Sequence, residues 1–189
     1  MEIIRRRLVV LLVISLVAML AVHVTPVAAR VPQVPKMIQE TCDQSMHPDF
    51  CVSVLFSDPR TREEDSLSKL TYFTVVITNE KAKQGMSFVS EVEKNTTDPL
   101  GKKLLNYCVD RYEVGPVGGT ENAMEDFGED VGDKTLVAND VSSCLGPLDE
   151  CNMAFNRPPY PANKIRETND LVAKYCFLAL DLIYLFRAK

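Results

Sequence analysis

The segment that most constrains the fold of this 189-residue chain is an apolar seam in residues 133–155. Its six seam residues recur at alternating spacings of four and three: Val137, Val141, Cys144, Leu148, Cys151 and Phe155. This spacing is typical of a helix packed inside a helical bundle. The segment also contains Gly146 and Pro147, and a proline inside a helix removes a backbone hydrogen bond. The seam therefore predicts a bundle helix that is kinked near Pro147.

Two of the seam residues are cysteines, which indicates that the helix is cross-linked as well as packed. Cys144 and Cys151 lie two turns apart on one face, about 10 Å along the axis, which is too far for a disulfide between them. The other four of the six cysteines are Cys42, Cys51, Cys108 and Cys176. An even number without a CxxC pair predicts a disulfide framework from an oxidising compartment, and no metal site. Most of the possible pairings remain open.

The N-terminus has the three parts of a secretory signal peptide. Three arginines at 5–7 precede an apolar run over residues 8–22, and small residues follow at 27–29. We expect cleavage after Ala29, so that residues 1–29 are the signal peptide and residues 30–189 are the mature domain. An uncleaved membrane anchor is the alternative, but the run is short for a bilayer span. The mature protein is expected to be secreted and to make no membrane contact.

The charge of the chain limits its classes of partner. The formal net charge is −5, and loss of residues 1–29 removes three arginines and one glutamate, which leaves −7. An acidic surface speaks against nucleic acid and anionic lipid as ligands, and it suits a basic partner.

The chain also contains the sequon Asn95-Thr96-Thr97. In a secreted protein this sequon predicts an exposed, glycosylated Asn95.

The apolar periodicity of the first half predicts helices. Residues 31–58 are expected to form two short helices that meet at a turn around His47, and a Cys42–Cys51 bond would close this hairpin. A long helix is expected over residues 63–94. Residues 72–77 within it are β-branched and aromatic, as in a strand. The periodicity on both sides favours a helix there as well.

A second bundle helix is expected to begin at Asp98 and Pro99, with the aspartate as N-cap and the proline as first helical residue. Residues 115–119 contain three glycines and a proline, so we expect this helix to end or break there. A further turn or two is expected at 121–127, before an acidic loop at 128–132.

The last helix follows a proline-rich, extended connection at residues 156–161. Its apolar face is two stripes wide, which is typical of a helix buried in a bundle. The stripes are Leu171, Tyr175, Leu178, Leu182 and Leu185, and beside them Val172, Cys176, Ala179, Ile183 and Phe186.

Together these elements predict an all-α, disulfide-stapled fold. A helical hairpin at 31–58 is followed by an up-down-up-down four-helix bundle at 63–187. If the third and fourth bundle helices are antiparallel neighbours, Cys144 and Cys176 lie at depths of roughly 16 and 20 Å from the connection. We therefore expect the two cysteines to face each other and predict a third disulfide between them. Two buried free thiols are the alternative, which a kink at Pro147 would favour.

Four sequence motifs follow one another in a characteristic order along the mature chain. They are Cys42 and Cys51; Asp98-Pro99 with Lys102-Lys103, Cys108 and Tyr112; Val141-Ser142 with Leu145, Cys151 and Phe155; and the apolar helix at 171–186. In this order the chain resembles the plant invertase and pectin methylesterase inhibitor family. The resemblance covers essentially the whole mature chain and is nearest to the pollen-allergen-like invertase inhibitors.

The resemblance implies two disulfides, Cys42–Cys51 in the hairpin and Cys108–Cys151 between the second and third bundle helices. It also implies a protein that inhibits an enzyme by one-to-one binding and has neither catalysis nor a cofactor of its own. The target would be a pectin methylesterase or an invertase of the plant cell wall. The expected location is therefore the apoplast, and the expected state is a monomer.

Two candidate contact regions follow from the resemblance. Invertase-directed members use a short proline-flanked loop with basic or aromatic residues, and Arg157-Pro158-Pro159-Tyr160 has a similar place and character. A rigid linker whose tyrosine covers the core is the alternative for this segment.

Methylesterase-directed members of the family bind largely through polar residues of the second and third bundle helices. This chain has Glu150 in the third of them, where the family usually has threonine, and Met153 where the family has aspartate. Glu150 is therefore a candidate target contact. Residues 114–119 also depart from the amphipathic run that usually continues the second helix.

An enzyme is the least favoured class of function. The mature part keeps one histidine, His47, and it has no nucleophile elbow, phosphate-binding loop or metal-ligand spacing. We predict an inhibitor of pectin methylesterase, narrowly preferred to an invertase inhibitor because most of the family carries the methylesterase label. A secreted binding protein that has kept the fold and lost inhibition is the remaining alternative.

Overall fold

The computed structural model describes residues 33–128, 133–155 and 163–188, and all regular elements within these ranges are helical. The first three helices are α1 (Lys36–Cys42), α2 (Pro48–Ser57) and α3 (Pro59–Arg62). The bundle follows with α4 (Leu67–Asn95), α5 (Pro99–Tyr112), a π-helical turn (Glu113–Val117), α6 (Gly118–Phe127), α7 (Lys134–Ser142), α8 (Leu145–Ala154) and α9 (Asn163–Arg187). The predicted all-α fold, a hairpin followed by a four-helix bundle, is confirmed.

Three expectations lie outside the described residues: the signal peptide at 1–29, most of the acidic loop at 128–132, and the connection at 156–161. Of the helices that the structure describes, none combines the length and the apolar character needed to cross a bilayer.

Short polar side chains mark the starts of three bundle helices. Ser66 caps α4, Asp98 accepts a hydrogen bond from the Gly101 backbone N–H at 2.6 Å to cap α5, and Asp133 caps α7. Each cap satisfies an N–H group that has no partner within its own helix. The predicted start at Asp98 and Pro99 is confirmed. The long helix begins at Leu67, four residues later than expected, because Ser66 is its cap.

The hairpin is closed by the Cys42–Cys51 disulfide, whose Cα atoms lie 5.4 Å apart. His47 lies in the turn as the exposed residue that precedes α2. The hairpin packs on the bundle through a buried apolar cluster of Ile38, Val54, Leu55, Leu70, Ile77, Leu178 and Leu182. Asp181 of α9 adds polar contacts, since it accepts hydrogen bonds from Ser45 Oγ at 2.8 Å and the Met46 backbone N–H at 2.9 Å. Apolar burial and hydrogen bonds together hold the hairpin on α4 and α9.

The α-helical pattern is interrupted at Glu113–Val117, as expected for a break, but the second bundle helix does not end there, so that part of the prediction was wrong. The chain passes from α5 through the π-helical turn directly into α6, and the wider turn accommodates Pro116. A Cβ atom on Gly115 would lie 2.5 Å from Cγ of Pro147, and one on Gly119 would lie 2.5 Å from the carbonyl oxygen of Asp140. These glycines therefore allow the second and third bundle helices to approach closely; they do not end a helix.

The seam residues are all buried, with at most 8% of any of them exposed. They are divided between α7 and α8, and the break falls at Ser143 and Cys144, one turn before Pro147. In a continuous helix the Pro147 ring would meet the carbonyl of Ser143, four residues earlier. The break makes Pro147 the third residue of α8, where no N–H is needed for a bond within the helix.

Cys144 and Cys176 are free thiols, so the predicted third disulfide was wrong. Both are fully buried in the same apolar cluster of the core. Cys144 lies at the helix break, with its sulfur 3.9 Å from the carbonyl oxygen of Pro116. Its position is therefore set by the break and not by the constant rise of a straight helix. The contact with Cys144, and then burial, raise the pKa of the Cys176 thiol, so the pair acts as two small apolar residues.

The last helix buries most of its two predicted stripes, including Val172, Leu178, Leu182 and Ile183. Tyr175, Leu185 and Phe186 are half-buried, and Leu171 is exposed, at 47%. A chain of polar side chains also crosses the core. Tyr112 OH donates to Asn169 Oδ1 at 2.8 Å, and Asn169 Nδ2 donates to Asn152 Oδ1 at 2.8 Å.

A pair of carboxyl groups lies between α6 and α7. Burial, and then the neighbouring carboxyl group of Asp126, raise the pKa of Asp140 above its ordinary value of 3.8. Within the described part of the chain, Oδ2 of Asp140 is buried without a hydrogen-bond partner. A second carboxyl can supply the missing donor only when one of the two groups is protonated.

We expect Asp140→Asn to raise the free energy of unfolding by about 1 kcal/mol at pH 7, because its amide can donate to Asp126. A raised folded-state pKa means that protonated Asp140 stabilises the fold at low pH, and that this contribution is lost as the pH rises through that pKa. The difference between variant and wild type should therefore shrink towards pH 3. Urea denaturation at several pH values measures it, and a gain that is equal at pH 3 and pH 7 would contradict the carboxyl-pair explanation.

Candidate functional site

The Cys108–Cys151 disulfide joins α5 to α8 with a Cα–Cα distance of 5.0 Å, as the resemblance implied. Beside it, residues spaced by three and four present one outward side of each helix. We call this surface the α5–α8 face. It consists of Lys103, Tyr107, Asp110, Arg111 and Val114 on α5 and the π-helical turn, and of Gly146, Asp149, Glu150 and Met153 on α8, all exposed or half-buried.

The centre of the α5–α8 face is a cluster of three side chains. Tyr107 OH donates a hydrogen bond to Oε2 of Glu150 at 2.9 Å, and Nη1 of Arg111 donates to the same oxygen at 3.3 Å. The Arg111 guanidinium also lies over the Tyr107 ring, 5.2 Å from its centroid. The hydrogen bond to Glu150 raises the pKa of Tyr107, so the phenol stays protonated and remains a donor.

The cluster is open to solvent. The Glu150 side chain is 44% exposed, and 38% of Tyr107 is exposed. Val114 and Met153 supply exposed apolar surface on the same face. The face thus combines an aromatic ring, an arginine and a carboxylate with apolar surroundings, which is a composition typical of protein–protein contacts.

The structure places Glu150, a residue chosen from the sequence, at the centre of this face. The other candidate contact segment, Arg157-Pro158-Pro159-Tyr160, lies outside the described residues. Asn95 is exposed at the last position of α4, where its Nδ2 donates to the Glu91 carbonyl at 2.9 Å.

Tyr107 and Arg111 were not chosen from the sequence, although a signal was present. Tyr107 directly precedes Cys108, and Glu150 directly precedes Cys151. Once these two cysteines are paired, their neighbours must lie side by side. Arg111 follows four residues after Tyr107 and so shares its side of the helix.

The described ranges contain no group of three or more His, Cys, Asp or Glu side chains that could hold a metal ion.

Comparison with known proteins shows to which protein family the chain is related. Residues 36–182 match the family model described as plant invertase/pectin methylesterase inhibitor. The chain belongs to this family. The family consists of protein inhibitors of enzymes and not of enzymes, which agrees with the prediction from the sequence.

Similar members of the inhibitor family are known as proteins and as crystal structures. The pectinesterase inhibitor of Actinidia deliciosa is 23% identical over 146 residues, which cover 76% of this chain and 76% of that protein. Pectinesterase inhibitor 1 of Arabidopsis thaliana is 26% identical over 142 residues, which cover 74% of this chain and 76% of that protein.

Two crystal structures of pectin methylesterase inhibitors from Arabidopsis share the fold. The first aligns with a TM-score of 0.58 at 24% identity and covers 78% of this chain and 94% of its own. The second, described as mutant form A, aligns with a TM-score of 0.65 at 23% identity and covers 80% of this chain and 97% of its own. The hairpin-and-bundle architecture of the inhibitor family is therefore present here.

Proposed function

We propose that this family member inhibits a pectin methylesterase by binding it one-to-one, as a monomer, through the α5–α8 face. The observation that carries the proposal is the exposed Tyr107–Arg111–Glu150 cluster. Tyrosine and arginine are among the residues that contribute most binding energy at protein interfaces. The two related proteins named as pectinesterase inhibitors support this class of target.

The same proposal places the protein in the plant cell wall. The signal-peptide pattern at residues 1–29 supports secretion, and the exposed position of Asn95 at a helix end supports glycosylation. The mature charge of −7 favours a basic target enzyme, with an association rate that falls as salt screens the attraction.

An invertase is the alternative target, and the sequence feature that favours it is Arg157-Pro158-Pro159-Tyr160. This segment would reach the active site of an invertase, whereas the α5–α8 face would make no contact with the target. A family member that has lost inhibition and binds some other secreted protein is the third possibility. The three differ in which enzyme is inhibited and in which residues matter.

The test is to titrate the mature protein, residues 30–189, into separate assays of a purified plant pectin methylesterase and a purified plant invertase. We expect inhibition of the methylesterase that is complete at equimolar concentration, and an association rate that falls at high salt. Tyr160→Ala should leave this inhibition unchanged. Inhibition of invertase alone, lost in Tyr160→Ala at an unchanged melting temperature, would replace the proposal by the alternative. If neither enzyme is inhibited, the third possibility is favoured, in which the protein has lost inhibition and binds some other secreted protein.

A further inference from the structure

We infer that Arg111 is a positioning residue of the α5–α8 face: it holds Glu150 so that the outer carboxylate oxygen receives a lysine or arginine side chain of the target enzyme. This inference rests on the proposed function and adds the chemistry of the contact. Four kinds of observation carry it, namely the hydrogen bonds, the exposure, the arrangement of the guanidinium and the charges of the face.

The two hydrogen bonds in the cluster use only one oxygen of Glu150. Tyr107 and Arg111 both donate to Oε2, and within the described residues no hydrogen bond ends on Oε1. In the free protein, water can donate to this half-exposed oxygen. A partner that covers it must supply a donor instead, because a buried carboxylate oxygen without one is costly.

The Arg111 side chain is held by Glu150 and Tyr107, so it affects the target by orienting Glu150 and not by direct contact. Its Nη1 is occupied by Glu150, its guanidinium lies over the Tyr107 ring, and its Nε is buried without a partner within the described chain. Its side chain is also less exposed than that of Glu150, at 32% against 44%. The carboxylate is thus already fixed before binding, so less side-chain freedom is lost when the complex forms.

The charges of the face select a cation over a neutral donor. Asp110, Asp149 and Glu150 carry three negative charges, and Lys103 and Arg111 carry two positive ones, so one negative charge remains. Asp149 adjoins Glu150 on the exposed side of α8. A lysine or arginine that docks on Oε1 gains from this excess, whereas a serine or asparagine donor does not.

The experiment measures binding of the mature protein to an immobilised, purified plant pectin methylesterase at low and high salt. Glu150→Gln keeps an acceptor oxygen of the same shape and removes only the charge. We expect it to raise Kd about 30-fold, mainly through a faster dissociation rate. Glu63→Gln is the matched control, because it makes the same chemical change at an exposed position outside the α5–α8 face, and it should change Kd less than about threefold.

Arg111 is tested in the same assay. Arg111→Met should raise Kd about tenfold, and Arg111→Lys, which keeps the charge but not the planar group over Tyr107, should restore part of the binding. In the Glu150→Gln background, Arg111→Met should have no further effect, since a positioning residue has nothing left to position. The melting temperatures of all variants should stay close to the wild type, because the half-buried side chains of Arg111 and Glu150 lie at the surface and outside the core clusters.

Three other results would contradict the inference, the proposed function or both. If the effects of Arg111→Met and Glu150→Gln add, Arg111 contacts the target itself and is not a positioning residue. If Glu150→Gln binds like the wild type, the partner group is not a cation, and the proposed function still stands. If the wild type does not bind the methylesterase, both the proposed function and the inference fall.

Discussion

Gly119→Ala is expected to lower the free energy of unfolding by about 3 kcal/mol. The new Cβ would lie 2.5 Å from the carbonyl oxygen of Asp140 and would also contact Oγ of Ser143. The Ser143 side chain could rotate away, but the Asp140 oxygen belongs to the backbone of α7. The two helices would have to separate, and the packing of the seam would loosen with them. Urea denaturation with an unchanged slope measures the loss.

Gly146→Ala is the matched control, because it makes the same chemical change on the neighbouring helix α8. A Cβ on Gly146 would meet no atom within 4 Å. The substitution should therefore stabilise the protein by up to about 1 kcal/mol, the helix preference of alanine over glycine. If the two variants were equally unstable, close packing could not be the reason for glycine at position 119.

Asn169→Ala is expected to cost about 3 kcal/mol, the second large effect. Asn169 is fully buried and connects Tyr112 of α5 with Asn152 of α8. Its removal would leave the buried Tyr112 hydroxyl without an acceptor as well as opening a cavity. Burial already raises the pKa of Tyr112, so ionisation cannot relieve the loss. The thermal or urea unfolding of the purified variant measures the change.

Tyr112→Phe tests the same hydrogen bond from its other end. It should cost about 1.5 kcal/mol, because it leaves Oδ1 of Asn169 unpaired. The double variant should lose less than the sum of the two single variants, since the shared bond can be lost only once. Asn106→Ala, at an exposed position of α5, is the control and should stay within about 0.5 kcal/mol of the wild type. Additive losses at Tyr112 and Asn169 would contradict a shared network.

Most of the helical framework could be predicted from local sequence. Asp98 and Pro99 mark a helix start because the cap and the fixed backbone angle act within a few residues. The seam of α7 and α8 was predicted with every member buried, because its periodicity records which side faces the core. The pairing of Cys108 with Cys151 came from resemblance, since spacing alone leaves the partners open.

The wrong predictions concern residues whose structure depends on packing against another helix. Residues 115–119 carry strong helix-breaking propensity, yet the chain stays helical through a π-helical turn, and the glycines leave the space that Pro147 of α8 and Asp140 of α7 occupy. Tertiary packing overrides propensity in such cases. Cys144 likewise belongs to the predicted seam, but the break at Ser143 determines how it meets Cys176, and the two remain thiols.

The sequence by itself determined the class of fold, the helical hairpin and the face of each helix that is buried, because these depend on periodicity and on caps within one turn. Only the tertiary structure decided the candidate site. Tyr107 and Arg111 lie about 40 residues from Glu150, at separations of 43 and 39. Their meeting depends on the register between α5 and α8, which the Cys108–Cys151 bond and the glycine contacts set together. Register between helices is a property of packed surfaces, and no local pattern encodes it.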